Sequence, residues 1–207
     1  FGVMYKKLIV FEGIDGSGKT YHLNEVSKYL LKKKINFIKI REPGGSKNSE
    51  IIRKIILNNK SGFKKKTDLL LYLAARNENY ENILKSNLKK KVILLDRFND
   101  STMAYQHYGF KINKKIIKIL NSFIIGKLKP DFTFLHIVPN KYIKKNISGT
   151  KNRYDNFNKN FYKNVQKGFL KILKQNKKKL IIDSSKTKKY NVNIIKNKIN
   201  KLLKINE

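Results

Sequence analysis

Lys6-Lys7-Leu8-Ile9-Val10-Phe11-Glu12 runs directly into Gly13-Ile14-Asp15-Gly16-Ser17-Gly18-Lys19-Thr20, and helical periodicity follows. An apolar strand, a G-x-x-x-x-G-K-[ST] string and a helix, in that order, form a phosphate-binding loop. The glycines let backbone N–H groups turn inward around phosphate oxygens, and the helix N-terminus adds its dipole. Lys19 is placed to reach the β- and γ-phosphates of a nucleoside triphosphate, and the Thr20 hydroxyl to bind Mg²⁺. Gly13, Asp15, Gly16, Ser17, Gly18, Lys19 and Thr20 are therefore the expected donor-phosphate residues. The string establishes triphosphate binding but not what becomes of the γ-phosphate.

Outward from that loop, short β-rich runs alternate with longer helical patterns. Strands are expected at residues 6–12, 37–42, 91–97, 132–138 and 179–184. Helices are expected at about 18–34, 47–59, 67–90, 101–109, 113–127, 140–147, 157–176 and 187–205. Near-continuous apolar strands joined by helices imply a parallel sheet covered on both faces. The expected fold is thus α/β, a three-layer P-loop NTPase-like domain spanning 1–207, with ligands at the carboxyl ends of the strands.

The net charge is +34 over 207 residues. Its basic residues are spread along the chain together with many Asn and Ile, the pattern of a coding bias rather than of a nucleic-acid-binding stripe. Such a surface attracts polyanions weakly and steers phosphorylated substrates inward. The chain has no Cys, which agrees with a cytoplasmic location and excludes disulfides and thiolate metal sites. No apolar run is long enough to span a membrane. Phe1-Gly2-Val3 lack the pattern of a signal peptide and are expected to be a remnant ahead of a native start at Met4.

Arginine is scarce: Arg41, Arg53, Arg76, Arg97 and Arg153 are the whole set. Where Lys is the default cation, Arg marks places that need a planar, bidentate donor. Arg53, inside the amphipathic Ile51-Ile52-Arg53-Lys54-Ile55-Ile56-Leu57, reads as a surface residue. Strand two ends in Arg41-Glu42-Pro43-Gly44-Gly45 and strand three in Asp96-Arg97, which brings both arginines to the margin that carries the phosphate loop. Two guanidiniums beside Lys19 exceed the needs of one triphosphate with Mg²⁺, and an acceptor carrying its own phosphate explains them. Asp96 is placed to organise Mg²⁺ and its waters, with a plain Asp96–Arg97 ion pair as the structural alternative. No guanine-reading N-K-x-D exists, since Asn140-Lys141-Tyr142-Ile143 lacks the carboxylate.

Four strings together resemble the thymidylate kinase family, of bacterial type: FEGIDGSGKT from Phe11, REPGG from Arg41, LYLAAR from Leu71 and DRFNDSTMAYQ from Asp96. The resemblance runs from Tyr5 to the last helix. It implies a five-stranded parallel sheet, a homodimer formed through helices on one face, and transfer of the γ-phosphoryl of ATP to dTMP with Mg²⁺, giving dTDP for dTTP synthesis. By position, it implies that Asp15 meets the 3′-hydroxyl of the acceptor sugar. Arg97 holds the dTMP phosphate with Arg41 beside it, and Asp96 is the catalytic-site aspartate near Mg²⁺. Tyr72 falls where the family usually has a Phe stacked on thymine, and Arg76 matches the donor to the base carbonyl. Thr102 and Gln106 are base-side residues, and Tyr105 disfavours a 2′-hydroxyl. Spacing agrees: Tyr72 and Arg76 are i, i+4 neighbours, and Thr102, Tyr105 and Gln106 share a helix turn. From the residues alone, Tyr72 reads as core packing within Leu69–Leu73 in preference to base stacking.

Residues 144–156 read as a basic lid, and with no arginine in the phosphate loop, Arg153 is the candidate for the transition-state role. The resemblance implies D-R-[IF]-E with further arginines there; this chain has Asn152-Arg153-Tyr154-Asp155 with Lys144, Lys145 and Lys151. His107 and Tyr108 also stand where small residues are usual. His22 and His136 show no partner pattern, and Asp183–Thr187 is a candidate for the adenine pocket. Two alternatives stay open: a nucleoside monophosphate kinase of other base specificity, and a basic nucleic-acid-binding ATPase.

Overall fold

The computed structural model describes residues 6–143, 154, 157–174 and 176–205. Five strands, β1 (Lys7–Gly13), β2 (Phe37–Arg41), β3 (Val92–Asp96), β4 (Phe132–Ile137) and β5 (Lys179–Asp183), form one parallel sheet in the order β2-β3-β1-β4-β5. The central strands are apolar throughout because both of their faces are covered; every residue of β3 is buried. The edge strands β2 and β5 keep partly exposed positions.

Alternation along β1 divides the core into two layers. Ile9 and Phe11 pack with Leu23 and Leu30 of α1 (Lys19–Lys32) and Ile195 and Ile199 of α8 (Lys188–Leu203). Leu8 and Val10 face the other way, toward Ile93, Leu95, Leu84 and Ile125. The remaining helices are α2 (Lys47–Leu57), α3 (Lys65–Asn79), α4 (Lys85–Asn87), α5 (Asn99–Thr102), α6 (Lys114–Ile125) and α7 (Lys159–Leu173). Side-chain caps start several of them: Ser46 accepts from the Ser49 N–H at 3.3 Å, and Asn158 from the Phe161 N–H at 2.9 Å.

Two wide π-turns depart from the expected continuous helices. Tyr80–Leu84 links α3 to α4, and Met103–Gly109 continues α5. Such turns recur at functional sites, because the extra residue re-aims side chains. In the expected helix 140–147, the described residues 141–143 form a turn, and the rest lies outside the described residues. Registers Phe11↔Asp96, Arg41↔Asp96, Gly13↔His136 and Ile137↔Asp183 bring all five carboxyl ends to one margin.

Candidate active site

The loop after β1 needs left-handed backbone, with φ of 72° at Gly16 and 82° at Gly18. Gly13 is needed for a second reason: a Cβ there would lie 2.5 Å from the His136 carbonyl oxygen, so β1 and β4 could not approach as they do. Lys19 opens α1 and is buried, its Nζ donating to the Ile14 carbonyl at 3.3 Å and sitting 3.8 Å from Asp15 Oδ1. Burial and then the Arg97 charge push its pKa down, opposed by Asp15, Asp96 and Glu12. The Thr20 hydroxyl donates to Asp96 Oδ2 at 2.5 Å, so the two residues expected to hold Mg²⁺ are in contact.

Beneath the loop lies a feature invisible in the sequence. His136 Nε2 and His22 Nδ1 are 3.0 Å apart across 114 residues of chain, with stacked rings. Burial, then His22 and Lys19, push His136 down to about 3 from the ordinary 6.5. The folded state therefore excludes a proton that the unfolded chain binds. Its stability is complete above pH 6.5 and falls as pH drops toward 3. Urea unfolding at pH 5 and at pH 7 should show a loss of about 2 kcal/mol from this group, a slope that His136→Gln removes.

Arg97 follows β3 with a φ of 70°, left-handed for a side-chain-bearing residue, which turns its guanidinium across the end of β1. Nη1 donates to the Gly13 carbonyl at 2.8 Å and Nη2 to Asp15 Oδ1 at 2.5 Å. The Tyr105 hydroxyl donates to Asp15 Oδ2 at 2.9 Å, and its ring centroid is 5.2 Å from the guanidinium carbon. Although burial opposes it, Arg97 and then Lys19 hold the Asp15 carboxyl well below the usual range, and Asp15 in turn raises Arg97.

This network floors a cleft that is partly open to solvent. Tyr72, Arg76, Thr102, Tyr105 and Gln106 all line it, as do Asp15 and Arg97. Arg76 is fixed before any ligand arrives: Nε donates to Glu42 Oε2 at 2.8 Å and Nη1 to Asn121 Oδ1 at 2.6 Å, with Phe98 under its guanidinium. Gln106 is 1% exposed and its Oε1 has no hydrogen-bond partner among the described residues, a desolvation cost that a ligand's N–H can offset. Tyr154 lies edge-on to Tyr72 with ring centroids 6.0 Å apart, and its hydroxyl donates to Asp68 at 3.1 Å.

Two arginines exchange the roles expected of them. Arg41 is not among the cleft residues; its Nη2 pairs with Glu50 at 3.0 Å and its side chain is 54% exposed. Glu50, at the start of α2, lies close enough to draw it away. Arg53, read as a surface residue, lines the cleft instead and donates from Nη1 to the Pro43 carbonyl at 2.6 Å. The scarcity of arginine pointed to both, and the amphipathic pattern of α2 masked Arg53. Glu42, Phe98 and Ser101 also line the cleft without having been singled out. The expected catalytic Arg153, and the lid residues 144–156 apart from Tyr154, lie outside the described residues. Ser184, in the segment suggested for adenine, donates to the Ser17 carbonyl at 2.7 Å and so touches the phosphate loop.

A family model described as thymidylate kinase matches residues 11–195. The chain belongs to the thymidylate kinase family. A thymidylate kinase of Fervidobacterium nodosum is 36% identical over 181 residues, which cover 86% of this chain and 91% of that one. One from Thermosipho africanus is 42% identical over 134 residues, covering 64% and 67%. The crystal structure of thymidylate kinase from Ehrlichia chaffeensis superposes with a TM-score of 0.74 at 33% identity, covering 94% of this chain and 97% of that one. The five-stranded parallel sheet with helices on both faces is thus that of the thymidylate kinase P-loop fold.

Proposed function

We propose that this chain transfers the γ-phosphoryl group of ATP to a phosphate oxygen of dTMP. One observation supports this beyond the family: Lys19 Nζ and Arg97 Nη2 both address Asp15 Oδ1, at 3.8 and 2.5 Å. Two separate cationic arms, one from the donor loop and one from β3, therefore meet within the span of a transferring phosphoryl group. The acceptor is already an anion and needs no strong general base, so rate comes from positioning and charge neutralisation. Lys19 takes the donor side and Arg97, with Arg53 in place of Arg41, the acceptor phosphate. Asp15, released from Arg97 when phosphate arrives, is free to accept from the sugar 3′-hydroxyl. Tyr72 offers a ring face to the base, and Arg76 and Gln106 address its edge.

A coupled assay across dTMP, dUMP, dCMP, dGMP and AMP tests the base, and a clear preference for a purine would refute the thymine pocket. DNA-stimulated ATP hydrolysis without any mononucleotide would instead favour the nucleic-acid-binding ATPase.

Thr20 and Asp96 fit Mg²⁺: a hydroxyl and a carboxylate in contact are hard oxygen donors, and one or two such ligands suffice where phosphates and waters complete the shell. When bound, the ion would supply neutralisation of the donor phosphate charge. Thr20 and Asp96 would hold and orient it. Arg153 is proposed as the lid arginine because its chain neighbour Tyr154 packs at the cleft. Among the described residues no helix is long and apolar enough to cross a membrane, and a cytoplasmic location is proposed.

A homodimer is also proposed. Ile51 and Ile55 of α2, Leu70 of α3 and Ile116, Ile119 and Phe123 of α6 are exposed large apolar residues, and α3 packs against both other helices. Phe123 is 88% exposed, which a soluble monomer does not favour on such a face. Sedimentation should give a dimer that Phe123→Glu converts to monomer, whereas a monomeric unmodified chain would exclude the interface.

A further inference from the structure

Glu12, the residue just before the phosphate loop, is fully buried, and among the described residues no cation forms an ion pair with it. A buried carboxyl group needs a set of donors. Those it has come from the segment around Arg97. Oε1 accepts the Phe98 N–H at 2.9 Å and the Ser101 N–H at 3.2 Å, and Oε2 accepts the Ser101 hydroxyl at 2.5 Å.

The residues beside Glu12 grip the same turn. The Arg97 N–H donates to the Phe11 carbonyl at 2.9 Å, and its guanidinium to the Gly13 carbonyl at 2.8 Å. Three consecutive residues of β1 thus hold, in order, the backbone of Arg97, three donors of Phe98 and Ser101, and the Arg97 side chain. Ser101 closes the loop by accepting from Arg97 Nη1 at 3.2 Å. The left-handed φ of 70° at Arg97 is disfavoured for a residue with a Cβ and persists only where its surroundings over-determine it.

We infer that Glu12 is a positioning residue for the acceptor: by binding Phe98 and Ser101 it pins the strained turn through which Arg97 reaches the acceptor phosphate. The inference rests on Arg97 being the acceptor-phosphate arginine. It separates two functions of one loop, with Lys19 and Thr20 serving the donor and Glu12, on the same ten-residue string, serving the acceptor. Burial and then the Asp100 carboxylate push the Glu12 pKa up, and a carboxamide keeps the shape of the carboxyl group without its charge. Glu12→Gln keeps Oε1 for both backbone N–H groups and sets an amide against Ser101 Oγ, whose lone pairs can receive it.

Steady-state kinetics on the full chain decide the point. Glu12→Ala should raise KM for dTMP about tenfold, with KM for ATP within about threefold, one hydrogen bond's effect on a single substrate. Glu12→Gln should restore KM for dTMP to within about threefold. Ser101→Ala, which leaves Phe98 paired, should raise KM for dTMP by about threefold to tenfold in the wild type and add nothing in an Arg97→Ala background. If Glu12→Ala fails to fold, the other variants still decide. Equal shifts in both KM values, or an effect of Ser101→Ala that persists without Arg97, would overturn the inference. Wild-type kinetics for Arg97→Ala alone would overturn both the inference and the assignment beneath it.

Discussion

Arg97→Ala is expected to lower kcat/KM for dTMP by at least about 10²-fold while leaving KM for ATP within a few-fold. The guanidinium is held by the Gly13 carbonyl at 2.8 Å and by Asp15 at 2.5 Å, so it is oriented before substrate arrives and loses little freedom on binding. Removing it does two things. The proposed acceptor-phosphate site loses its guanidinium, and the Asp15 carboxyl loses the charge that does most to hold its pKa down. The sign of the second effect is fixed: Asp15 then titrates at higher pH, and the acid limb of the kcat/KM profile moves upward. A pH series of steady-state rates measures both. Near-wild-type turnover in the variant removes the acceptor-site assignment.

Lys19→Ala should cost at least about 10²-fold as well, but on the donor side, with kcat falling for any acceptor. Lys19 is 6% exposed, and its ammonium is placed by the Ile14 carbonyl at 3.3 Å. Lys19→Arg should not rescue it, because a planar guanidinium does not reproduce a compact point charge. Rates with saturating ATP and dTMP, set beside the loss of kcat/KM for each substrate, distinguish this variant from Arg97→Ala. Equal losses against dTMP alone would contradict the division of labour between the two cations.

The parts of this site that were legible are those written locally. Eight contiguous residues from Gly13 to Thr20 carry their own turn chemistry, and the strand before them and helix after them are short-range patterns. The i, i+4 spacing of Tyr72 and Arg76 survives because α3 is regular there and both side chains line the cleft. Thr102, Tyr105 and Gln106 reach the same cleft by a different route, since the turn at Met103–Gly109 is a π-turn rather than the α-turn their spacing suggested.

Arg41 and Arg53 show where local pattern stops. Hydrophobic periodicity assigns the apolar side of a helix to the interior, yet Ile51 and Ile55 of α2 stay exposed while Arg53 turns into the cleft. A helix packed at the sheet margin answers to whatever flanks it on either side. The Glu50 carboxylate then takes the arginine that the strand-end argument had assigned to substrate.

By itself, the sequence determined the kind of chemistry and the order of the elements, because glycine placement, strand apolarity and loop composition act over a few residues. Only the tertiary structure decided which arginine meets the cleft, that His22 and His136 share a hydrogen bond, and that Glu12 holds the turn after β3. Those contacts join residues 12 with 101 and 22 with 136. Strand pairing together with the packing of α1 and α5 against the sheet creates them, and no short-range preference of either partner encodes them.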